Sequence, residues 1–338
     1  MKREEAKVDA APGPAMTAFM WRLIGNLLAP GAQHGRVSIL IYHRVLPRPD
    51  PMFPEDIDAE GFEQQLGVLS RYFNVLPLED AIKRLQSGSL PPRALSITFD
   101  DGYADNAEIA LPILRRMGLH ATFFIATGFL DGGRMWNDSV IESVRRAPGP
   151  ELSFSGLGLG RYPVATVAQR RETALAVVAR MKYLPMSQRL EQVEKLVRHV
   201  AVPLPDNLML RIDQVRELHN AGMDIGGHTV NHPILSSIDP AEARVEIAAG
   251  KEALEGIIGG RVALFAYPNG RPGQDYQGAH VRMVREAGFT AAVSTATGVA
   301  RAKSDLFQLP RYSPWGNVSP RFTLRLLKNF HAPVEAVV

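Results

Sequence analysis

The chain has no cysteine among its 338 residues. A disulfide framework and a thiolate metal site are thereby excluded, and the compartment is left open. Outside the first thirty residues no apolar run approaches the roughly 18–20 residues needed to cross a bilayer. Charge of one sign is not in excess either. Lys and Arg together number 38 against 35 Asp and Glu, a net charge of +3, with a pI near 9.1. A nucleic-acid binder concentrates basic charge far more than this, so no nucleic-acid partner is expected. No internal repeat is evident. Against these absences stands a 46% hydrophobic content, enough for a large core. A chain of this length is two domains or one α/β barrel.

The first segment, residues 1–14, is charged and then rich in Pro and Ala, and is expected to be disordered. An amphipathic helix is expected over residues 15–30. Met16, Phe19, Met20, Leu23, Ile24, Leu27 and Leu28 recur there at spacings of three and four, which puts them on one face. Arg22 interrupts the run, which is too short to span. Docking on the barrel is the simpler use of that face, and peripheral membrane contact through residues 15–28 is the other. No cleavage site follows convincingly. The expectation is a cytoplasmic protein, peripheral to the inner face of the membrane if that contact is made.

From residue 31 onward, short apolar runs alternate with helical periodicity. Strands are predicted over 37–42, 73–76, 94–99, 121–126, 223–226, 262–266 and 291–294. Several are continuous apolar runs, as expected of strands covered on both faces. Helices are predicted over 62–72, 78–86, 107–117, 215–221, 241–258 and 281–287. Asp239-Pro240-Ala241-Glu242 is the clearest start signal, with an N-cap Asp and Pro at the first helical position. Glycines follow Met117, Ala221 and Ala287, where helices should end. The alternation implies a parallel barrel or a doubly wound sheet. Residues of about 130–212 break it. They hold Gly132-Gly133, a glycine-rich stretch at 156–160 and a basic helical pattern over 167–200, and read as an insertion. Its basic residues are most simply a solvated face; an anionic saccharide or a lipid phosphate is the other use for them. Trp136 and Asn137 open it, either to stack on a sugar or to anchor it to the core.

Two segments carry chemistry. Ser96-Ile97-Thr98-Phe99-Asp100-Asp101-Gly102-Tyr103 delivers two carboxylates into a glycine turn, and His228-Thr229-Val230-Asn231-His232 supplies two imidazoles four residues apart. One carboxylate and two histidines complete the protein ligands of a catalytic divalent metal. The second carboxylate is then free to act as a base. Alone, Asp-Asp-Gly is a common surface turn, and paired histidines often lie on a solvated face. The predicted strand ends put Asp100, Asp101, His228 and the segment 267–270 at carboxyl ends of strands, where α/β folds place active sites.

Together, in this order and wording, the two segments resemble the first two motifs of the polysaccharide deacetylases, carbohydrate esterase family 4. The resemblance runs from about Val37 to about Arg311, interrupted by the insertion. It implies a distorted (β/α)7-type barrel, with Asp101, His228 and His232 as metal ligands and Asp100 as general base. Zinc is the metal expected first, with cobalt or nickel also suited to the set. Sharing a site requires the backbone to turn after Asp100, and Gly102 permits that. Thr229 is placed to orient a ligand histidine.

Phe265-Ala266-Tyr267-Pro268-Asn269-Gly270 is similar to the family's third motif but departs from it. The arginine that braces the base in the family is Ala266 here, and the tyrosine is Asn269. A backbone N–H of the motif, which helps hold the oxyanion, survives such changes, so Asn269 N–H is the expected donor. For the missing brace Arg311, in Leu309-Pro310-Arg311, is the first choice and Arg271 the second; a structural ion pair is the plainer use of Arg311. The family's C-terminal Leu-x-His is absent. Tyr42-His43-Arg44-Val45 resembles the start of a branch acting on poly-N-acetylglucosamine, which implies His43 as general acid; a histidine that only hydrogen-bonds its loop is the plainer reading. The expected activity is metal-dependent removal of N-acetyl groups from N-acetylglucosamine-type saccharides. The alternatives are deacylation of another amide or O-acetyl ester, and a non-catalytic carbohydrate-binding protein with a degenerate site. The oligomeric state has no signal.

Overall fold

Apolar β-branched and aromatic runs that helices cover on one side and one another on the other make the frame of this protein. The structure is a computed structural model and describes residues 25–154, 160–314, 316, 318–333, 335 and 337–338. The segment 1–14 and most of the helix expected over 15–30 lie outside the described residues, as does the stretch 155–159. Residues 25–28 are helical. Among the described residues no helix is long and apolar enough to cross a membrane.

The strands are β1 (Arg36–Tyr42), β2 (Asn74–Val75), β3 (Ala94–Phe99), β4 (Thr122–Ile125), β5 (Glu151–Phe154), β6 (Gly160–Pro163), β7 (Asp224–Gly227), β8 (Leu264–Ala266), β9 (Ala291–Val293) and β10 (Ala300–Arg301). All except β5 and β6 form one curled sheet in the order β10-β1-β3-β4-β7-β8-β9, with β2 beside the start of β3. Pairing is parallel throughout except for β10, which runs antiparallel to β1. The segment 309–312 bridges the two sides. Leu309 pairs with Val293 of β9 and Tyr312 with Leu40 of β1. The backbone bonds Leu309 N–H to Ala292 O (2.9 Å) and Tyr312 N–H to Ile39 O (2.8 Å) carry this closure. The result is the distorted barrel expected from the sequence.

The helices are α1 (Ala59–Tyr72), α2 (Leu78–Ser87), α3 (Leu111–Arg116), α4 (Trp136–Arg146), α5 (Val167–Met181), α6 (Met186–Val200), α7 (Ile212–Asn220), α8 (Pro240–Ile258), α9 (Gly278–Glu286) and α10 (Pro320–Asn329). A π-helical turn, Asn106–Ala110, leads into α3. Alternation along the strands separates two clusters. Leu40, Leu95, Ile97, Phe99, Phe123 and Phe265 pack outward against helices such as α1, α7, α8 and α9. Val37, Ile39, Ala94, Phe124, Leu264 and Val293 form the inner cluster, to which α2 adds Leu78, Ala81, Ile82 and Leu85. Asp239 caps α8 by accepting from Ala241 N–H (2.8 Å), and Gly259 ends it in the left-handed conformation.

The interruption is a unit with its own core. α4, the β5–β6 hairpin, α5 and α6 bury Val140, Val144, Phe154, Val177 and Leu196 together with Phe53 from the β1–α1 loop. The basic pattern over 167–200 is two helices rather than one. Pro185 precedes α6 with φ −49°, and its missing N–H cannot continue the α5 ladder.

Candidate active site

The inner face of β3 runs Ala94, Ser96, Thr98 and then Asp100. Strand alternation alone would send Asp101 outward. The chain avoids this because Asp101 itself adopts φ 76°, followed by Gly102 at φ 85°. The turn expected of Gly102 is thus shared with the aspartate, which costs strain of order 1–3 kcal/mol. Thr229, His232 and Asn269 also have positive φ, at 65°, 52° and 59°. Such strain at non-glycine residues concentrates where a side chain must be aimed.

Asp101, His228 and His232 converge. One ligand atom from each lies within 4.8 Å of the others. Asp101 Oδ1 is 3.4 Å from His228 Nε2 and 3.3 Å from His232 Nε2. His228 Nδ1 lies 2.7 Å from Ala266 O. The carbonyl requires a donor, so Nδ1 carries a proton; Asp101 and Asp100 raise the His228 pKa against the lowering by burial, so Nε2, which faces Asp101, takes an ion only by giving up its own proton. Burial pushes the Asp101 carboxyl up, but His228 and His232 outweigh it and hold it well below the usual range. Burial drives His232 down to about 4, leaving it the free base that a metal requires. A buried N₂O donor set with lone pairs converging fits a divalent ion of the zinc type.

Asp100 is gripped from the other side. Arg311 Nη1 and Nη2 each donate to it at 2.6 Å, while Nε donates to Ser294 O at 2.9 Å. Burial raises the Asp100 carboxyl, and Arg311 with His228 reverses the shift, so it stays ionised. Arg271 does not reach Asp100. Its side chain is exposed, and its N–H is spent on Asp275 (3.0 Å).

His43 and Asn269 line the same cavity, of about 1100 Å³, as Asp100, Asp101, His228 and His232. His43 is close enough to act on the charge of both aspartates. Its loop is pinned by residues that sequence reasoning missed. Asn106 donates to His43 O (2.9 Å), and Asp105 accepts from Val45 N–H (3.2 Å) and Arg44 Nε (2.8 Å).

Glu246 was equally unforeseen. Buried on α8, it accepts from Val230 N–H (2.9 Å), Asn231 N–H (2.8 Å) and Asn231 Nδ2 (2.7 Å). This fixes the loop between the two histidines. Thr229 Oγ1, the expected orienter, accepts from His232 N–H at 3.1 Å. Gly250, one turn beyond Glu246, lets α8 touch this loop; a Cβ there would sit 2.8 Å from the Thr229 carbonyl. An acidic residue and a glycine four apart on an otherwise apolar helix face were the available signal.

A family model described as polysaccharide deacetylase matches residues 87–149 and 188–292. YxkH of Bacillus subtilis, an inferred polysaccharide deacetylase, is 20% identical over 278 residues, covering 82% of this chain and 70% of its own. Among solved structures, the Streptococcus pyogenes deacetylase PplD, in complex with acetate, aligns with a TM-score of 0.58 at 21% identity, over 87% of this chain and 99% of that one. IcaB from Ammonifex degensii aligns with a TM-score of 0.54 at 18% identity, over 89% and 100%. At these identities the structural likeness establishes the fold.

Proposed function

Since this chain belongs to the polysaccharide deacetylase family, we propose that it is a metal-dependent hydrolase that removes N-acetyl groups from N-acetylglucosamine-type poly- or oligosaccharides. The observation that carries this reading is the Arg311–Asp100 pair beside the Asp101–His228–His232 cluster. A carboxylate kept ionised next to a ligand triad has the work of a base, which a binding module does not need. The acetate in the PplD complex is the product that such a reaction would release.

Asp101, His228 and His232 would hold the ion. When bound, it supplies Lewis acidity and lowers the pKa of water. Zinc fits first, with cobalt or nickel as close substitutes. Asp100 takes the proton of the attacking water, and Arg311 keeps it ionised and aimed. The N–H of Asn269, on a left-handed turn beside the cavity, donates to the oxygen that becomes negative. His43 gives the departing amine its proton.

The test combines metal content by plasma mass spectrometry with acetate release from N-acetylglucosamine oligomers. Wild type should hold about one ion per chain, as a single-triad site requires, and Asp101→Ala and His228→Ala should lose it while folded. Asp100→Asn should keep the ion and lose acetate release. Failure to bind zinc, cobalt or nickel would remove this reading. Metal binding with release only from O-acetyl esters would redirect it to that bond.

A further inference from the structure

The insertion carries two basic groups that the reaction does not use. Arg189, at the start of α6, is only 4% exposed yet lines the cavity that holds the aspartates and histidines. Its Nη1 donates to Lys182 O (3.0 Å), and its guanidinium lies over the Trp136 ring, 4.9 Å from the centroid. Nε is buried with no acceptor. Among the described residues no carboxylate lies within ion-pair distance of it. Lys182, half-buried on the same wall, makes no ion pair among the described residues; its ammonium lies 5.5 Å from the centroid of the Tyr183 ring, and Asp275 acts on it from farther off.

Three other carboxylates around this cavity are matched, whereas Asp56, Asp58, Glu60 and Asp138 on its wall have no ion-pair partner among the described residues. Asp50 is held by Arg145 (2.6 Å), Glu142 by Arg145 (3.0 Å) and Arg146 (3.1 Å), and Glu55 by Arg171 (2.5 Å). Burying a cation without a counter-ion costs several kcal/mol in general. An orphaned N–H adds a desolvation penalty. A guanidinium kept on a cavity wall in this way holds a charge that an anion in the cavity would offset. The family match skips residues 150–187, so Lys182 falls in the part that this chain adds and Arg189 stands at its edge.

We propose that the insertion forms an anion subsite, in which Arg189 and Lys182 beside Trp136 receive a carboxylate or phosphate carried by the saccharide, remote from the acetamide that reacts. The proposal rests on the saccharide reading above and narrows its substrate class to acidic amino-sugar chains. Guanidinium suits both anions, because its fork of N–H donors matches two oxygens at once.

The test is calorimetric binding of three probes of equal length: chitobiose, a glucuronate–N-acetylglucosamine disaccharide and chitobiose 1-phosphate. It is run on metal-loaded and metal-stripped protein, so that an anion held at the metal is recognised. At least one acidic probe should bind about tenfold or more tighter than chitobiose, the scale of a charged hydrogen bond. Which one does so identifies uronate or phosphate. Arg189→Gln should bring the acidic and neutral probes to within about twofold, and Arg189→Lys should keep part of the preference. Should Arg189→Gln fail to fold, Lys182→Met at its half-exposed position should reduce the preference instead. Equal binding of all three probes, or a preference that survives both Arg189→Gln and Lys182→Met, overturns the subsite. Acetate release from chitobiose is measured separately. Release without an acidic preference sinks only the subsite, and a preference without release sinks only the reaction.

Discussion

Arg311 and Asp100 stand 211 positions apart and meet through two hydrogen bonds of 2.6 Å each. Arg311 reaches Asp100 because the segment 309–312 threads between β9 and β1, which aims its side chain inward along the line of Thr98 and Asp100. The guanidinium is fully buried, and its Nη1 also lies 3.3 Å from Thr98 Oγ1. The closing segment of the barrel therefore sets an arginine on Asp100, which Ala266 cannot do.

Arg311→Met should destabilise the protein by about 3–5 kcal/mol, since it strands a buried carboxylate. Arg311→Lys keeps a charge but not two parallel N–H bonds, so it should fold better than the Met variant and still lose activity. Urea unfolding with acetate release measures both. A Met variant as stable and active as wild type would show that the pair has no role.

The two bonds from Val230 and Asn231 N–H to Glu246 Oε2 should matter to metal affinity rather than to the fold. Glu246→Ala should weaken metal binding about 10–100-fold, the usual effect of losing support behind ligands. Glu246→Gln keeps an acceptor and should fall between. Competition with a chromogenic chelator measures the affinity. An unchanged affinity in the Ala variant would mean the loop is held without Glu246.

Much of this was legible in the sequence for identifiable reasons. β1 and β3 are apolar runs buried along nearly their whole length, so periodicity and composition agree. Arg311 is readable as a brace only from its place after the last strand. β10 is two residues long and anchored by β1 alone, and nothing in two residues signals a strand. Glu246 is hidden for the opposite reason. A glutamate on a helix reads as solvated, and only its position on the stripe of Ala243, Ile247, Gly250 and Leu254 marks it as buried. The sequence points to Gly102 for the turn at Asp101 because glycine adopts positive φ freely, whereas in the fold the aspartate adopts it as well.

His43→Ala should retain bound metal and lower acetate release by about 10²–10⁴-fold, the range for a lost general acid. An activated O-acetyl ester needs little help for its leaving group, so its hydrolysis should fall much less. Equal losses on amide and ester would assign His43 to substrate binding or loop structure instead, through the Asn106 bond to its carbonyl.

Asp138 ties the insertion to the turn after β3, accepting from Met135 N–H (3.0 Å) and Tyr103 Oη (3.2 Å). Burial raises its pKa from 3.8 to about 6. Between those values the folded state holds the proton more tightly than the unfolded chain does. Its contribution therefore favours folding least above about pH 6, and stability falls as pH rises through the window. The rise from 3.8 to about 6 sets an upper bound of about 3 kcal/mol. Asp138→Asn keeps the shape. Its Oδ1 can accept from Met135 N–H while its amide donates to a Tyr103 hydroxyl turned to accept. Other carboxylates, Asp101 above all, titrate in the opposite sense, so the readout is the difference between variant and wild type. In urea unfolding the Asn variant should be the more stable at about pH 7.5 and lose that advantage by about pH 4. A difference that is constant with pH would mean that Asp138 is ionised throughout, held by Arg44 and its two hydrogen bonds against the cost of burial.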